Sequence, residues 1–416
     1  MGEGVMSNNG LTPEQLARAW EAGCITPLAA PQDATALQAA LGGAAAAGLL
    51  AVLAERHGPG VIVGSGGSAG GRRWCLQPLA HLQASAAATA HWLGEQGLDP
   101  AACVHLNPLP LHHVSGLLPP VRCRQWGAAH RRLEPAWMRD PAGLAAAVPV
   151  GALAQEHALL LSLVPTQLAR LLEHPAGVAW LQQLAVIWVG GAPLPQALAT
   201  RARQLGLRLA PCYGATETAA MVCALPPARF LAGDDGCGPL LIDVHLHIDP
   251  NTEALELTTP RLSPGTLEQG RLRPLPRTAA GGWRSGDAAQ LGPAGVRILG
   301  RLDGAIHSGG ETVFPEQVEQ ALRAMSHAAG LPLAEVLLLA EPCPEWGERL
   351  VALVRPLDGA AEEPLLKALV RLAQPLPPSQ RPRRWLLCPG LQRSPLGKWQ
   401  RSRWQAWLQD LPASSG

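Results

Sequence analysis

The sequence predicts an α/β protein: a large N-terminal domain of layered α/β subdomains with a β-rich, barrel-like subdomain, followed by a small α+β C-terminal domain. Three observations predict this fold. Short apolar runs first alternate with longer amphipathic segments, glycine and proline then break up the apolar pattern, and the pattern changes again near residue 300. A chain of 416 residues, 47% of them hydrophobic, is long enough for two or more buried cores.

The first region has the pattern of parallel strands joined by helices. Apolar runs at residues 61–64, 104–107, 185–190 and 207–211 have the length of buried strands, and residues 195–205 have the spacing of an amphipathic helix. Such alternation is typical of parallel sheets with helices packed on their faces. We therefore expect layered α/β subdomains here.

The N-terminal segment predicts a helix with a polar cap. Thr12 has an N-cap side chain, and Pro13 and Glu14 suit the first turn. Residues 39–54 are the most apolar stretch, and we expect a buried helix because the stretch is too short and too weakly hydrophobic to span a bilayer. A basic segment followed by an apolar one is absent from the N-terminus, so we expect a cytoplasmic location and no integral membrane segment.

A β-rich subdomain is expected at residues 243–273, where short apolar pieces, Thr258, Thr259 and several Gly and Pro residues indicate hairpins and a small barrel-like unit. The later region predicts two helices and two strands, at residues 317–325 and 364–373 and at residues 336–340 and 351–355. We place the N-terminal domain at residues 1–300 and the C-terminal domain at residues 301–416, within the usual size range of domains.

Charge and cysteine content exclude several classes of ligand. The formal net charge is +1, from 33 basic and 32 acidic residues, so no nucleic acid partner is expected. Nine cysteines are scattered, the nearest pair being Cys212 and Cys223, and none forms a CxxC pair for zinc, an iron-sulfur cluster or redox chemistry. Small neutral or anionic ligands fit this balance, and a homo-oligomer is possible.

A glycine-rich segment at residues 64–73 follows a predicted strand, and its amides, hydroxyls and arginines suit a polyphosphate. A Walker A loop requires a terminal Gly-Lys-Ser/Thr, which is absent, and a dinucleotide fingerprint requires a following acid, absent between Glu55 and Glu95. Gly66-x-Ser68-x-Gly70 also matches a hydrolase nucleophile elbow. Taken alone, the segment is also compatible with a surface loop.

Six later segments, in order, give the glycine-rich segment a context. They are residues 110–116, 190–194, 213–217, 285–287, 300–303 with 308–311, and 395–398. Together the seven resemble the ordered motifs of the acyl-CoA synthetase, adenylation-domain and luciferase superfamily. The resemblance covers residues 61–401, nearly the whole chain.

Within the superfamily, residues 163–168 and 308–316 look most like those of o-succinylbenzoate-CoA ligases of menaquinone or phylloquinone biosynthesis. The resemblance implies ATP-dependent adenylation of a carboxylate with Mg²⁺, then thioester formation with CoA and release of AMP and pyrophosphate. Three alternatives stay open: another acyl- or aryl-CoA synthetase, a degenerate adenylate-binding protein, and a serine hydrolase that uses Ser68.

The resemblance assigns catalytic roles to four residues. Lys398 would bridge the carboxylate and the α-phosphate, because adenylation brings two anions together. Glu217 would hold Mg²⁺, a hard cation that prefers carboxylate oxygen, and Thr216 would contact the α-phosphate. His113 would lie near the acyl pocket, where an imidazole donates hydrogen bonds near neutral pH. His112 is adjacent, and the register of the motif favours His113.

The remaining site residues follow from the same motifs. Those expected to bind ATP or AMP are Ser65, Gly66, Ser68, Arg72, Gly190, Gly191, Ala192, Tyr213, Gly214, Thr216, Asp287 and Arg301. Within this set, Asp287 and Arg301 would hold the ribose hydroxyls and Tyr213 would lie near adenine. Those expected near the acyl group are His113, Ser115, Thr166 and Gln167.

Three residues are expected to serve the second half-reaction. Gly309 and Gly310 would line the CoA channel, or form a plain turn. Asp303 matches the hinge about which the C-terminal domain of relatives rotates, so that domain is expected to be mobile. The phosphate loop departs from its relatives, since Arg72 replaces a lysine and Gly67 a hydroxyl residue. We expect a weaker β,γ-phosphate contact, or one moved to Ser65 and Ser68.

Overall fold

The computed structural model describes residues 11–65, 72–393 and 399–411. Its strands are β1 (Ile25–Leu28), β2 (Gly60–Ser65), β3 (Arg73–Pro78), β4 (Cys103–Asn107), β5 (Ala129–Arg132), β6 (Ala158–Leu163), β7 (Val186–Val189), β8 (Leu209–Ala215), β9 (Ala220–Ala224), β10 (His245–Ile248), β11 (Ala254–Thr258), β12 (Gly265–Glu268), β13 (Arg271–Pro274), β14 (Trp283–Gly292), β15 (Gly295–Arg301), β16 (Ile306–Ser308), β17 (Glu311–Val313), β18 (Leu333–Cys343), β19 (Gly347–Pro356) and β20 (Arg384–Leu387).

The α-helices follow the same chain order. They are α1 (Pro13–Glu21), α2 (Ala34–Ala40), α3 (Ala46–His57), α4 (Leu79–Glu95), α5 (Val114–Trp126), α6 (Pro141–Ala147), α7 (Leu153–Glu156), α8 (Pro165–Leu172), α9 (Pro175–Gln182), α10 (Gln196–Gln204), α11 (Pro227–Leu231), α12 (Pro315–Ala328), α13 (Glu362–Leu372) and α14 (Arg401–Gln409). In the described part of the chain no single helix is long and apolar enough to cross a membrane, and the bent pair Pro31–Ala40 and Gly43–His57, at 83°, meets only the criteria of length and composition.

The predicted N-terminal helix is confirmed, with Thr12 and Gln15 forming a reciprocal capping box on α1. The single buried helix predicted over residues 39–54 is wrong. Gly42 and Gly43 have φ of 86° and 61°, so α2 ends before them and α3 begins after them. Half of the 12 residues of α3 are exposed, including Val52 at 60%, and only Ala46 and Leu53 are buried, so the helix lies at the surface with one face against the core.

The central sheet has the strand order β5-β4-β6-β7-β8-β9, in which every neighbouring pair is parallel except β8 and β9. Successive residues of each strand face opposite sides. Leu161 and Ile187 pack against helices such as α8 and α9, while Leu160 and Trp188 pack toward α4 and β11. Burial on both faces explains the continuous apolar runs that predicted these strands, and the layered α/β prediction is confirmed.

The N-terminal sheet has the order β1-β2-β3-β12-β13, and the antiparallel sheet has the order β10-β11-β14-β15. The predicted β-rich region at residues 243–273 is therefore divided between two sheets. Thr266 and Leu267 of β12 pair with Cys75 and Trp74 of β3, far earlier in the chain. Such long-range pairing is not encoded in local turn signals, and the prediction of one barrel-like unit there is wrong in extent.

The C-terminal sheet has the order β17-β16-β19-β18, with β20 parallel to β19, and α12 and α13 pack on one face. The predicted C-terminal helices and strands are confirmed. Phe314 packs with Ala288 and Leu299 of the antiparallel sheet, and Gln320 Nε2 donates to the Leu194 carbonyl at 3.4 Å. The boundary between residues 300 and 301 falls within β15 and stays a prediction.

Arg261 is fully buried where three parts of the N-terminal region meet. Its Nε and Nη2 donate to Asp243 Oδ2 and Oδ1 at 2.7 and 3.1 Å. Its Nη1 donates to the Thr218 carbonyl at 2.6 Å and to Ser85 Oγ at 3.4 Å. Since Thr218 lies between β8 and β9, Ser85 on α4 and Asp243 just before β10, one guanidinium joins the central sheet, a covering helix and the antiparallel sheet.

We expect Arg261→Ala to lower the free energy of unfolding by about 3–5 kcal/mol, because it leaves Asp243 without its buried partner. Urea denaturation measures the change. The control Arg271→Ala removes an exposed arginine and should stay within about 0.5 kcal/mol of the parent. A loss below about 1 kcal/mol for Arg261→Ala would show that the junction does not support the fold.

Candidate active site

The carboxyl ends of four neighbouring parallel strands bring the predicted motifs together. The segment after β4 carries the His112–His113 pair, and the segment after β6 carries Thr166. Residues 190–192 follow β7, and residues 213–217 include the end of β8 and the first residues of the turn after it. In open α/β sheets ligands bind at this edge, so the order β4-β6-β7-β8 aligns these motifs on one side of the central sheet.

Two glycines permit close backbone approaches in this region. A Cβ at Gly190 would lie 2.9 Å from Cys212 Sγ, and a Cβ at Gly214 would collide with the Ala220 carbonyl. Across the turn, Ala219 and Ala220 have positive φ of 51° and 78°. A non-glycine residue adopts this backbone region at a cost of about 1–2 kcal/mol. Such strain often marks functional segments, and here it begins two residues after Glu217.

Tyr213, Asp287 and Arg301 form a connected polar group. Tyr213 Oη donates to Asp287 Oδ2 at 2.5 Å. Arg301 Nη1 lies 3.5 Å from Asp287 Oδ1, because Asp287 and Arg301 are register partners on β14 and β15. Asp303 accepts two hydrogen bonds from the same guanidinium, from Arg301 Nε and Nη2 at 3.1 Å each. The structure thus brings together Asp287 and Arg301, the residues predicted to bind ribose, and Asp303, the predicted hinge residue, is hydrogen-bonded to Arg301.

Burial sets the proton affinities in this group. Burial raises the pKa of Asp287, and the hydrogen bond from Tyr213 and the charge of Arg301 oppose that shift. Burial, followed by the charge of Asp287, raises the pKa of Tyr213 well above its usual value, so the phenol stays a neutral donor. Burial disfavours the Arg301 cation, but Asp303 and Asp287 outweigh it and raise the pKa of Arg301. A carboxylate has about four lone-pair positions, which leaves Asp287 capacity for hydroxyl donors.

Glu217 provides a buried carboxylate at the end of the same turn. Its side chain is 3% exposed, and Arg73 Nη2 lies 3.1 Å from Oε1. That contact lacks hydrogen-bond geometry, and no described residue donates to Oε1. A buried carboxylate oxygen that accepts no hydrogen bond from the described residues is suited to bind a cation. The described residues contain no cluster of three or more His, Cys, Asp or Glu side chains that could hold a metal.

Sequence reasoning missed the residues that hold this turn in place. Gln77 Nε2 donates to the Thr216 carbonyl at 2.6 Å, and Ser263 N donates to the Glu217 carbonyl at 2.7 Å. Gln77 is fully buried in β3, whose neighbours are apolar. A lone polar residue inside an apolar strand was the available signal, whereas Ser263 carried none.

The predicted phosphate-loop residues lie partly within and partly outside the described residues. Ser65 ends β2 and is buried. Arg72 is half-buried and forms an ion pair with Asp33, at 3.0 Å from Nε to Oδ2, so its charge is already partly neutralised by the protein. Gly66 and Ser68 lie outside the described residues, as does Lys398. Their assignments stay predictions from their motifs.

The two adjacent histidines pack against each other, with ring centroids 4.6 Å apart. His113 occupies the N-cap position of α5, and Ser115 is exposed in the first turn. Burial and the nearby Arg72 lower the pKa of His112, which favours its neutral form, while Asp33 opposes the shift. Arg72 and Asp33 act on His112 electrostatically, and the choice between the two histidines stays a prediction.

The predicted acyl-contacting pair on α8 divides into two roles. Gln167 Oε1 accepts from the Val164 N–H at 3.1 Å, so it caps the start of the helix. Thr166 Oγ1 is buried and has no hydrogen-bond partner among the described residues, which leaves it the better candidate for a ligand contact. Gly309 and Gly310 form the turn between β16 and β17, where Gly309 lies against the Trp346 ring. Their role in a CoA channel stays a prediction.

Comparison with known proteins identifies the family. The family model described as "AMP-binding enzyme" matches residues 78–261. The chain is 33% identical over 236 residues to the 2-succinylbenzoate–CoA ligase of Salmonella typhimurium, covering 55% of this chain and 46% of that protein. It is 30% identical over 350 residues to a probable 2-succinylbenzoate–CoA ligase of Mycobacterium tuberculosis, covering 81% and 82%. The chain belongs to the AMP-binding enzyme family.

The family fold is confirmed by a solved structure. The o-succinylbenzoate CoA synthetase of Bacillus subtilis, in complex with the acyl-adenylate intermediate OSB-AMP, superposes with a TM-score of 0.67 at 21% identity, covering 85% of this chain and 69% of that one. The chain spans less than half the length of the Salmonella ligase but four-fifths of the mycobacterial one. The resemblance to the superfamily predicted from the motifs is confirmed.

Asp287→Asn should weaken AMP binding by about tenfold or more, because a carboxylate acceptor is replaced by an amide. The pKa of Asp287 is raised on folding, so the native state holds its proton more tightly and this group's contribution to stability falls as pH rises above 3.8. At neutral pH the variant should therefore be as stable as the parent or more so. Calorimetric AMP titration and thermal melting measure both effects.

The exposed Asp358→Asn serves as the matched control, and both its AMP affinity and its melting temperature should be unchanged. Unaltered AMP affinity in Asp287→Asn would remove Asp287 from the nucleotide site. A marked loss of stability in that variant would mean that the ion pair with Arg301 outweighs the cost of burial.

Proposed function

We propose that this chain is an AMP-forming acyl-CoA ligase whose acid is 2-succinylbenzoate, as in menaquinone or phylloquinone biosynthesis. A carboxylate oxygen of the acid bonds to the α-phosphorus of ATP, and the bond to the bridging oxygen breaks to release pyrophosphate. The CoA thiol then loses its proton and its sulfur bonds to the acyl carbon, and AMP leaves with the electron pair of the broken C–O bond.

The observation that carries this proposal is that one short segment holds both a hydrogen-bonding group suited to ribose and a carboxylate suited to a metal. Tyr213 at the end of β8 donates to Asp287, and Glu217, four residues later, presents a buried carboxylate. The first group suits ribose hydroxyls and the second suits a metal bound to phosphates. A nucleoside triphosphate needs both, at a spacing that a short turn sets. Mg²⁺ held by Glu217 would supply charge neutralisation at the phosphates.

Lys398 supplies the cation that the proposal places between the two anionic reactants. The chain contains only two lysines, Lys367 and Lys398, among 33 basic residues. Lys367 is exposed on α13 and pairs with Glu363 at 2.6 Å. The motif position of Lys398, rather than a general abundance of lysine, supports its assignment. An ammonium is a compact charge that fits between two oxygen groups, whereas a guanidinium is a wide fork.

The acid assignment is supported by the ligases that the chain resembles and by the position of Thr166. Its hydroxyl is buried at the carboxyl edge of the central sheet and lacks a described partner, so a polar group of the acid would satisfy it. The cytoplasmic location, the oligomeric state and the rotation of the C-terminal domain about Asp303 stay predictions from the sequence.

A panel of carboxylic acids incubated with ATP, Mg²⁺ and CoA tests the proposal. We expect 2-succinylbenzoate to give AMP and a thioester of the corresponding mass. A thioester from an aliphatic or another aryl acid, but not from 2-succinylbenzoate, would replace the acid and keep the reaction. Nucleotide binding without AMP from any acid would favour the adenylate-binding alternative.

Lys398→Ala should reduce adenylate formation by about 10²-fold or more, because the neutralising charge acts in the transition state. The variant should still convert supplied acyl-adenylate and CoA to thioester. That step does not bring the carboxylate of the acid against the phosphates of ATP, so it does not need the charge of Lys398. Lys367→Ala is the matched control and should retain both half-reactions. Loss of both half-reactions in Lys398→Ala, with an unchanged melting temperature, would contradict the assigned role.

A further inference from the structure

A cleft of about 620 Å³ opens between the N-terminal sheet and the antiparallel sheet, beside the turn that carries Glu217. Its charged lining residues are Arg73, Arg273, Arg277 and Arg284, and no carboxylate is among the described residues that line it. None of these arginines was assigned a role above. Arg73 forms an ion pair with Glu217 at 3.1 Å, and Arg273 forms an exposed ion pair with Glu268 at 3.3 Å. The charges of Arg277 and Arg284 are the ones left for a bound anion to neutralise.

Strand register explains why two of the arginines converge. Thr266 of β12 pairs with Cys75 of β3 on one side and with Arg273 of β13 on the other. Arg73 lies two residues before Cys75, and alternate residues of a strand share a face. Arg73, Thr266 and Arg273 therefore stand in a row on the same face of the N-terminal sheet, and all three line the cleft.

The opposite wall supplies the other two cations. Arg284 follows the buried Trp283 on β14, and Arg277 lies in the connection between β13 and β14. Among the described residues no carboxylate lies within ion-pair distance of either guanidinium. Glu256 is the register partner of Arg284 on β11, but its Oε1 accepts from Thr278 Oγ1 at 2.5 Å. The charge of this wall is thus largely uncompensated.

The cleft is joined to the candidate active site by two contacts. Arg73 lines the cleft and also lies 3.1 Å from Glu217 Oε1. Arg277 Nη2 donates to the Ser263 carbonyl at 3.4 Å, and the Ser263 N–H donates to the Glu217 carbonyl. An anion bound in the cleft would therefore be one side chain away from the carboxylate that suits the metal.

We propose that this arginine cleft binds the phosphate groups of a multiply phosphorylated participant in the reaction. The inference rests on the proposed ligase function, which supplies two such groups: the pyrophosphate that leaves in the first step and the nucleotide phosphates of CoA. Guanidinium forks bind phosphate oxygens through paired, charge-assisted hydrogen bonds. A volume of about 620 Å³ is in the range of small-molecule sites, large enough for either group.

Direct titration tests binding without requiring activity. Pyrophosphate and adenosine 3′,5′-bisphosphate are titrated calorimetrically into the parent chain, the double variant Arg273→Gln/Arg284→Gln and the control Arg271→Gln. Arg271 is exposed on the same strand and face as Arg273 but does not line the cleft. We expect the double variant to bind at least one probe about tenfold more weakly than the control, as loss of charge-assisted hydrogen bonds predicts. A lysine pair, Arg273→Lys/Arg284→Lys, should restore part of the binding by keeping the charge.

Steady-state kinetics then distinguish the two sources. If the cleft holds the CoA nucleotide, the double variant raises the KM for CoA but not that for dephospho-CoA, and AMP formation without CoA is unchanged. If it holds pyrophosphate, product inhibition by pyrophosphate weakens and the KM for CoA stays the same. Equal binding of both probes by the double variant and Arg271→Gln, with equal melting temperatures, overturns the proposal. If no acid gives AMP while the double variant still binds the probes more weakly than the control, the proposed ligase function is wrong. The assignment of the cleft as a phosphate-binding site is then still supported.

Discussion

The buried contact of Arg261 with Asp243 is the constraint on which the site depends. The Tyr213–Glu217 segment lies on the central sheet, whereas Asp287 and Arg301 lie on the antiparallel sheet, so their meeting requires the two sheets to be held in one orientation. Arg261 joins these sheets by donating to Asp243 on one side and to the Thr218 carbonyl on the other. Because a buried guanidinium is costly unless its donors are satisfied, small relative shifts of the sheets are penalised. The hydrogen bond from Tyr213 to Asp287 is then a consequence of that fixed orientation.

The same turn carries backbone strain and a buried, incompletely satisfied carboxylate. Ala219 and Ala220 have positive φ, and Glu217 Oε1 lacks a hydrogen-bond donor among the described residues. Each feature opposes folding, so surrounding contacts must compensate for both. Gln77, Ser263 and Arg261 do so by saturating the carbonyls of residues 216–218. A segment fixed in this way keeps its shape without a ligand, which suits a site that receives a polyanion and a metal together.

Local pattern was sufficient for β4, β7 and β8 of the central sheet, for α1, and for α12, α13, β18 and β19 of the C-terminal region. The central strands are apolar runs buried on both faces, and the helices bury one face with the helical period. Ordered motifs were sufficient to group Tyr213, Asp287 and Arg301. Local sequence pattern did not predict features that depend on residues far apart in the chain or on backbone geometry. The pairing of β12 with β3 divides a region that seemed a single unit, and the two glycines before α3 break a helix that hydropathy alone made continuous. The roles of Ser263 and Arg261 depend on groups elsewhere in the chain, so no local motif could reveal them.

The predicted hinge at Asp303 is chemically coupled to the nucleotide residues. Asp303 binds Arg301 through two hydrogen bonds of 3.1 Å, and Arg301 in turn faces Asp287. If the C-terminal domain rotates about Asp303, as the family resemblance implies, the rotation must strain or exchange these contacts. A ribose that engages Asp287 and Arg301 changes the cost of that exchange, because it competes for the same donors and acceptors. Nucleotide binding and rotation of the C-terminal domain would then be thermodynamically coupled. The movement of Lys398 into the site would depend on whether the nucleotide is bound there.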